Sequence, residues 1–342
     1  MIAMKALFYP QHNKLEISHQ PIPKWEDSEV LIKVAACGIC GSELETFRTQ
    51  SPRRNPPLIM GHEFCGQIVE VGRSVSGWKP GMMVVSNAVI SCDKCKPCAA
   101  GKTNLCQARQ VFGMDRNGAF AEYVNVPAAC LIPLPEGVSE RQACLTEPLA
   151  NGVHLVKLSQ HLPATRILII GAGPLGLMAL HAFRVLRNAE IFVADIRDER
   201  LMVAKRLGAT GVINPANHDL AEMLHEQTGH QPIDLVIDAV GSSETNINGL
   251  NVVKTGGALV VIGLYQNAKS LWSYDIVLGE KQVIGSYAAT QEDLQDALNL
   301  IASGKIDMTS WVNYYDLDNG VAAFTNMMEP NGSHIKSVLI NP

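Results

Sequence analysis

The sequence predicts an α/β fold in which a doubly wound parallel sheet is joined to a second, mainly β region. Three observations carry this. From Arg166 onward, short apolar runs rich in β-branched residues alternate with amphipathic helical stretches. The first of those runs ends in a glycine turn that opens a helix. The first 150 or so residues are instead rich in Cys, Pro and Gly and in short β-like runs.

In the first region, strands are expected at Val30–Ala35 and Phe64–Val71, with Gly and Pro punctuating at short intervals as in a barrel or sandwich. In the second, Arg166–Ile170 reads as a strand, followed by a helix through Leu175, Leu177, Met178, Leu180 and Ala182. Further strands are expected at Glu190–Asp195, Val212–Ile213, Asp234–Val240 and Gly257–Gly263. Helices are expected at Leu201–Leu207, Leu220–Gln227 and Thr245–Val253. Strands alternating with helices indicate βαβ units, and continuous apolar strands fit burial on both faces. The tail holds one amphipathic helix, Gln291–Ala302, and then Pro/Gly-punctuated segments that resemble the first region. We therefore divide the chain into residues 1–151, 152–288 and a return segment 289–342 that completes the first domain.

The length of 342 residues suits two domains, and 47% apolar with 18% charged residues is a globular balance. Formal net charge is -5 and the basic residues are scattered, which argues against a nucleic-acid partner. No apolar run approaches the roughly 20 residues that span a bilayer, and the N-terminal residues lack the pattern of a signal peptide. The expected compartment is the cytoplasm, where the nine cysteines stay reduced.

Gly171-Ala172-Gly173-Pro174-Leu175-Gly176 has the spacing G-x-G-x-x-G between a strand and a helix. In that context it marks a Rossmann dinucleotide site. The first Gly permits a tight turn, the second lets backbone approach a pyrophosphate, and the third lets helix and strand pack. The helix N-terminus favours the phosphate charge. Asp195 follows 19 residues after Gly176, at the end of the next strand. Its carboxylate suits ribose hydroxyls and repels a 2′-phosphate, which favours NAD over NADP. Arg197 and Arg200 lie just beyond and weaken that preference.

Cys92, Cys95, Cys98 and Cys106 place four thiols in 15 residues. Four soft ligands suit a closed tetrahedral zinc site with no open position, hence a structural ion. An iron–sulfur cluster is the rival reading. Lys94, Lys96 and Lys102 would offset the negative charge of a four-thiolate site. A second, more dispersed set consists of Cys40, His62 and the carboxylates Glu63 and Glu147, a mixed donor set with room for substrate. Each of those fragments alone is a weak signal.

Together, Gly38-Ile39-Cys40-Gly41-Ser42, Gly61-His62-Glu63, the four-cysteine lobe, Gly118-Ala119-Phe120-Ala121-Glu122-Tyr123, Glu147-Pro148-Leu149-Ala150, the glycine loop and Asp195 resemble the zinc-containing medium-chain dehydrogenases over nearly the whole chain. Within that superfamily the chain is most similar to the polyol branch, which includes sorbitol, galactitol-phosphate and threonine dehydrogenases. Alcohol dehydrogenases outside that branch place a third-ligand cysteine at the Glu-Pro-Leu segment.

The resemblance implies a GroES-like catalytic domain with a zinc lobe at 92–106, a Rossmann domain for NAD, and two zinc ions. It implies that Cys40 and His62 are permanent ligands of a catalytic zinc and that Glu63 is a ligand or an exchangeable carboxylate beside it. Glu147 would be a ligand, directly or through water. Ser42 would pass the alcohol proton outward. By the same likeness Arg200, Ile262, Gly263, Leu264, Ser286 and Tyr287 would contact cofactor. Cys37 is expected to be a packing residue, and Cys65, Cys130 and Cys144, which have no partner pattern, read as buried small residues. The implied partners are a small polyol or sugar-derived substrate and further copies of the chain, as a tetramer or dimer.

Two departures stand out. The family commonly continues Gly-Ser-Asp-x-His, with the His ending a proton relay, whereas this chain has Glu45 at that place. Glu45 could accept the proton, water could replace the relay, or Glu45 could touch substrate or solvent. Sorbitol-type enzymes tend to carry Arg where Ser286 stands. The expected activity is reversible oxidation of a secondary alcohol on a polyol, sugar acid or sugar derivative. The alternatives are a threonine-type 3-hydroxy amino acid dehydrogenase, or a catalytically silent NAD-binding redox sensor.

Overall fold

The computed structural model describes residues 3–265, 273–329 and 334–341. It divides into two compact units, Met1–Ala150 with Ala288–Pro342, and Asn151–Tyr287. No helix among the described residues is long and apolar enough to cross a membrane.

The first unit begins with β1 (Ala3–Gln11), β2 (Lys14–Pro21), β3 (Glu29–Gly38), α1 (Gly41–Thr49), β4 (Leu58–Ile59), β5 (Glu63–Val71), β6 (Met83–Ser86) and β7 (Val89–Ile90). It continues through α2 (Lys96–Ala99), β8 (Gln110–Val111), β9 (Tyr123–Pro127), β10 (Leu131–Pro133) and α3 (Glu140–Ala143), and ends inside α4 (Thr146–Leu158). The second unit runs through β11 (Arg166–Ile170), α5 (Pro174–Leu186), β12 (Glu190–Ala194), α6 (Asp198–Arg206), β13 (Gly211–Ile213), α7 (Leu220–Gln227) and β14 (Ile233–Asp238). It closes with α8 (Ser243–Val252), β15 (Val253–Val261), α9 (Ser273–Leu278) and β16 (Gln282–Gly285). The chain then rejoins the first unit with α10 (Gln291–Ala302), β17 (Val312–Asp316), α11 (Gly320–Met328) and β18 (Lys336–Ile340).

In the first unit the main sheet has the order β10-β6-β5-β3-β18-β17, with β9 also paired to β3. The central strand β3 is buried at nearly every position and pairs antiparallel with β5, β9 and β18. Its apolar side chains share one core with Met60, Phe64, Phe112, Phe120 and Phe324. Phe64 meets Phe112 edge to face at 5.5 Å, a contact of about 0.5–1.5 kcal/mol beyond area burial.

The register of this sheet builds a site. Gly38 at the end of β3 lies opposite Glu63 at the start of β5, and opposite Val338 on β18. Cys40, two residues past β3, is thereby brought beside His62 and Glu63, and the head of β18 delivers Lys336 to the same place. The tail therefore completes this sheet, with β18 inserted beside β3.

The second unit is a six-stranded parallel sheet of order β13-β12-β11-β14-β15-β16. This is the doubly wound order, with its switch point between β11 and β14. Apolar side chains of β11, β12 and β14 are buried, as expected for strands covered on both faces. Ile170 pairs with Ala194 on one side and Asp238 on the other. The carboxyl ends of three strands are thus level, with Gly171 and Asp195 just beyond them. β15 begins at Val253, earlier than the expected Gly257, because its pairing with β14 shifts register between Ile233 and Leu235. Strand β16 carries no apolar alternation and is largely exposed, so no period announces it in the sequence.

Candidate zinc and dinucleotide sites

Among the described residues, two groups of Cys, His and carboxylate side chains have donor atoms within 4.8 Å of one another. One is Cys40, His62 and Glu63; the other is Cys92, Cys95, Cys98 and Cys106.

Cys40 caps the N-terminus of α1. The third helical residue, Glu43, turns back so that its Oε2 accepts the Cys40 amide at 3.0 Å. Its Oε1 accepts the Gly61 amide at 2.8 Å and lies 2.9 Å from His62 Nδ1. Glu43 is completely buried. Burial works against its charge, but His62 and Arg54 outweigh that and hold its pKa below the ordinary carboxylate value. Burial likewise opposes the His62 cation, yet the Glu43 carboxylate and the Cys40 thiol raise its pKa well above normal. Gly61 is required before His62: its φ is +100°, and a Cβ there would meet Phe120 Cδ1 at 2.6 Å and Cys37 Sγ at 2.9 Å.

Glu63 Oε2 pairs with the buried ammonium of Lys336, whose Nζ also donates to the Ile39 carbonyl at 2.9 Å. Burial lowers the Lys336 pKa, but Glu63 and Cys40 more than offset it and the net shift is upward. The Ser42 hydroxyl donates to Cys40 Sγ at 3.3 Å and accepts from Arg54 Nη2 at 3.0 Å. A thiolate, an imidazole and a carboxylate converging at a helix N-terminus form the donor set that zinc takes when a coordination position stays open for substrate. Glu147, at the head of α4, is buried but lies outside this three-residue group. No hydrogen bond or ion pair reaches the half-buried Glu45 carboxylate among the described residues; only its backbone carbonyl is used, by Thr49.

In the second group, Cys95 Sγ lies 3.4 Å from Cys98 Sγ and 3.9 Å from Cys106 Sγ. A tetrahedron with Zn–S bonds of about 2.3 Å has edges of about 3.8 Å, so the thiols fit a zinc ion. Cys106 Sγ also accepts the Cys92 amide at 3.2 Å. Backbone amides of Gln107 and Cys98 lower the Cys95 pKa to about 6, whereas burial pushes Cys98 up to about 12. Cys37, Cys65, Cys130 and Cys144 are buried, and burial raises each of their thiol pKa values.

In the second unit, Gly173 caps α5 with no side-chain partner, and Pro174 occupies the first turn. The amides of Leu175 and Gly176 are therefore first-turn donors. A Cβ at Gly176 would fall 1.7 Å from the Gly171 carbonyl oxygen, so this turn closes only with glycine. A Cβ at Gly173 would meet nothing closer than Arg200 Nη1 at 3.8 Å, which leaves this side of the loop open to a ligand. Asp195 Oδ2 accepts the Ala172 amide at 2.7 Å, Oδ1 accepts the Arg197 amide at 2.9 Å, and Arg200 Nη1 stands 3.8 Å away. Asp238, at the end of β14, accepts from the Val240 and Gly241 amides, Thr245 Oγ1 and Asn246 Nδ2. Its backbone carbonyl accepts the amides of Ile262 and Gly263, so it shapes the turn that ends in Leu264. Ser286 follows β16, its amide bonded to the Val261 carbonyl and its buried Oγ without a partner among the described residues, and Tyr287 comes next.

Glu43, Arg54 and Lys336 belong to the first site and are absent from the sequence-based candidates. Glu43 was within reach, since a Glu three residues after a helix start is a capping-box signal. Lys336 and Ser337 precede a run of three apolar residues in β18, a weak signal. Arg54 lies in a Pro-rich, polar stretch that reads as a surface loop.

Residues 26–136 match the alcohol dehydrogenase GroES-like domain, and residues 174–303 match the zinc-binding dehydrogenase family. The chain is 33% identical to an L-galactonate-5-dehydrogenase of Escherichia coli, over 90% of this chain and 89% of that one. It is 35% identical to an L-threonine 3-dehydrogenase of Caldanaerobacter subterraneus, over 74% of this chain and 73% of that one. An alcohol dehydrogenase of Escherichia coli CFT073, solved with NADH, superposes with a TM-score of 0.92 at 28% identity, covering 99% of both chains. The two metal groups, the glycine loop and these likenesses agree: this chain belongs to the zinc-containing medium-chain dehydrogenases and is a zinc- and NAD(P)-dependent alcohol dehydrogenase.

Proposed function

We propose that the enzyme reversibly oxidises a secondary alcohol of a polyol, sugar acid or sugar derivative to the ketone, with NAD as the hydride acceptor. The observation that carries this reading is the donor set. Cys40 and His62 are joined by the carboxylate of Glu63, with Glu147 in the Glu-Pro-Leu segment that resembles the polyol branch. The named relative acting on a sugar acid supports the substrate class. The threonine dehydrogenase relative supports a second reading, oxidation of a 3-hydroxy amino acid. Since the chain is an enzyme, the silent redox sensor falls away.

Bound zinc supplies a Lewis acid for the alcohol oxygen, and the nicotinamide supplies the hydride acceptor. Cys40, His62 and Glu63 hold the metal, with Glu147 acting directly or through water. Glu43 fixes the His62 ring through Nδ1, which leaves Nε2 for the metal. Lys336 restrains Glu63. Ser42 receives the alcohol proton and passes it outward, to water or to Glu45, which lies three residues along α1. In the second unit the α5 N-terminus takes the pyrophosphate, Asp195 the adenosine ribose and Arg200 the adenosine end. Ile262, Gly263, Leu264, Ser286 and Tyr287 line the remainder of the cofactor site. The enzyme works as a homo-oligomer, dimer or tetramer; the exposed edge strand β16 with Val283 on its surface supports that reading.

A panel of polyols, hexonates, sugar phosphates and threonine, scored by NADH formation, tests the substrate class. Turnover of a polyol or hexonate well above threonine is expected, and threonine as the best substrate would replace this reading with the second. Glu147→Ala should impair turnover while sparing the fold, and full activity would remove Glu147 from the site.

A further inference from the structure

We propose that Arg54 is a positioning residue that sets the direction of the Ser42 hydroxyl for proton transfer. The inference rests on the reading of Ser42 as the group that receives the alcohol proton.

Arg54 and Arg53 are adjacent, yet Arg53 is exposed and Arg54 is buried to 1% exposure. No carboxylate lies within ion-pair distance of the Arg54 guanidinium among the described residues. Its donors are nevertheless nearly all used. Nη2 donates to Ser42 Oγ at 3.0 Å, and Nη1 donates to the Ser42 carbonyl at 2.9 Å and to Thr46 Oγ1 at 3.1 Å. Nε donates to the Gly113 carbonyl at 2.9 Å. Thr46 Oγ1 in turn donates to the Ser42 carbonyl at 3.0 Å. Three of the four acceptor contacts therefore lie on α1, around Ser42.

This is an unfavourable place for a cation that serves only to hold the fold. The first turn of a helix repels positive charge through its dipole, and burial strips the guanidinium of water. The nearby buried Glu43 carboxylate offsets part of that cost, but it makes no direct contact with Arg54. A neutral donor would tie the loop to α1 with neither cost.

The cation does give Ser42 a defined orientation. A guanidinium has no acceptor and does not give up its proton. The Ser42 proton therefore never points at Arg54. It points to the other side, where Cys40 Sγ lies 3.3 Å away among the metal-binding groups. With one lone-pair position of Ser42 Oγ held by Nη2, the hydroxyl proton has two others, towards Cys40 Sγ at rest or outward to water or Glu45. The outward position turns the free lone pair to an incoming alcohol, so Ser42 takes up the alcohol proton there as its own proton leaves outward. The fork geometry makes this specific to arginine, because a lysine ammonium cannot serve Ser42 Oγ, Ser42 O and Gly113 O together.

The test is a double-mutant cycle on the zinc-loaded full chain, using S42A, R54K and the double variant, with zinc content and melting temperature recorded for each. In the Ser42 background R54K should lower kcat by about tenfold or more with KM within about threefold. In the S42A background R54K should change kcat by less than about twofold, because the residue it orients is gone. A readout independent of turnover is the thiolate-to-metal absorption of cobalt-loaded protein. R54K and S42A should shift that band alike, since both disturb the hydrogen bond to the Cys40 sulfur. If R54K does not fold, T46V takes its place in the cycle, with a smaller loss of kcat confined to the Ser42 background. Equal losses in both backgrounds make Arg54 a purely structural residue and overturn the proposal, as does an unchanged kcat. Full activity of S42A by itself overturns the role of Ser42 and the proposal with it, an outcome distinct from additivity.

Discussion

Glu43 Oε1 stands 2.9 Å from His62 Nδ1 while it also accepts the Gly61 amide at 2.8 Å. One buried carboxylate thus fixes the ring and the backbone that presents it. Glu43→Gln removes the charge and leaves a single acceptor oxygen for three donors, the Cys40 and Gly61 amides and His62 Nδ1. We predict that the catalytic site then loses zinc about 10–100-fold more readily. Chelator titration should find one zinc released early and the four-cysteine ion retained. Equal retention of both ions relative to wild type would show that Glu43 does not support the metal.

The buried pair Lys336–Glu63 makes a different prediction. Removing one member of a buried ion pair leaves an unpaired charge and costs about 3–5 kcal/mol, whereas removing both costs far less. Lys336→Met alone should therefore destabilise the first unit strongly in urea, and Lys336→Met combined with Glu63→Gln should recover much of that loss. The close approach has a steric condition as well: a Cβ at Gly38 would fall 2.2 Å from Glu63 Oε2. Additive losses in the two single variants would refute the pairing energy.

The second unit was largely legible in the sequence, because buried parallel strands show as apolar runs and α7 appears with the bounds that its periodicity predicts, as does α10 in the returning tail of the first unit. The four-cysteine lobe was legible for another reason, since its ligands are local and a short loop can be read by spacing alone. The first site was legible only in pieces. Cys40, His62 and Glu63 come together through the β3–β5 register, and Lys336 arrives from almost 300 positions away on β18. Pairing between distant strands leaves no local pattern, so the charges supporting the ligands stayed hidden. Arg54 shows the same limit, because a buried arginine in a Pro-rich loop looks like a solvated one until its acceptors on α1 are known.

The lobe and the first site should separate on metal removal. Two zinc ions per chain are expected by metal analysis. Cys106→Ser removes a fully buried ligand, whose sulfur accepts the Cys92 amide. The variant should hold one zinc, and proteolysis should cut between residues 92 and 106 first, because folding of a structural zinc loop depends on the metal. A variant that still binds two ions would disprove the closed four-thiolate site.

Asp234 ties the start of β14 to the start of β11. Its Oδ2 accepts from the amides of Thr165 and Arg166 and from Thr165 Oγ1, and its Oδ1 from Lys254 Nζ at 2.5 Å. Burial pushes the carboxyl pKa up, but Lys254 and these donors prevail and bring it to about 2. A folded-state value below the unfolded one means that the ionised form favours folding. The contribution is complete above about pH 4 and vanishes as pH falls through about 2. Asp234→Asn should cost about 1–3 kcal/mol at neutral pH. Urea unfolding of the two proteins should converge as pH drops across that window, and a difference independent of pH would sink the argument.

The loop contact of Asp195 must be separated from its proposed role in cofactor choice. Its carboxylate ties the glycine loop through the Ala172 amide at 2.7 Å and faces Arg200 Nη1 at 3.8 Å. Asp195→Ala would lose the loop contact as well as the charge, so KM should rise for both dinucleotides. Asp195→Asn keeps an acceptor for the Ala172 amide of the loop and removes the charge, together with the acceptor for the Arg197 amide. It should free Arg200, and with it Arg197, to attract a 2′-phosphate that the native carboxylate repels. We therefore predict that the ratio of kcat/KM for NAD over NADP falls by about tenfold or more in Asp195→Asn, equivalent to about 1.4 kcal/mol of lost discrimination. The melting temperature should stay close to wild type, because the Ala172 contact survives. An unchanged ratio would mean that selectivity resides elsewhere in the second unit and that Asp195 serves the loop alone.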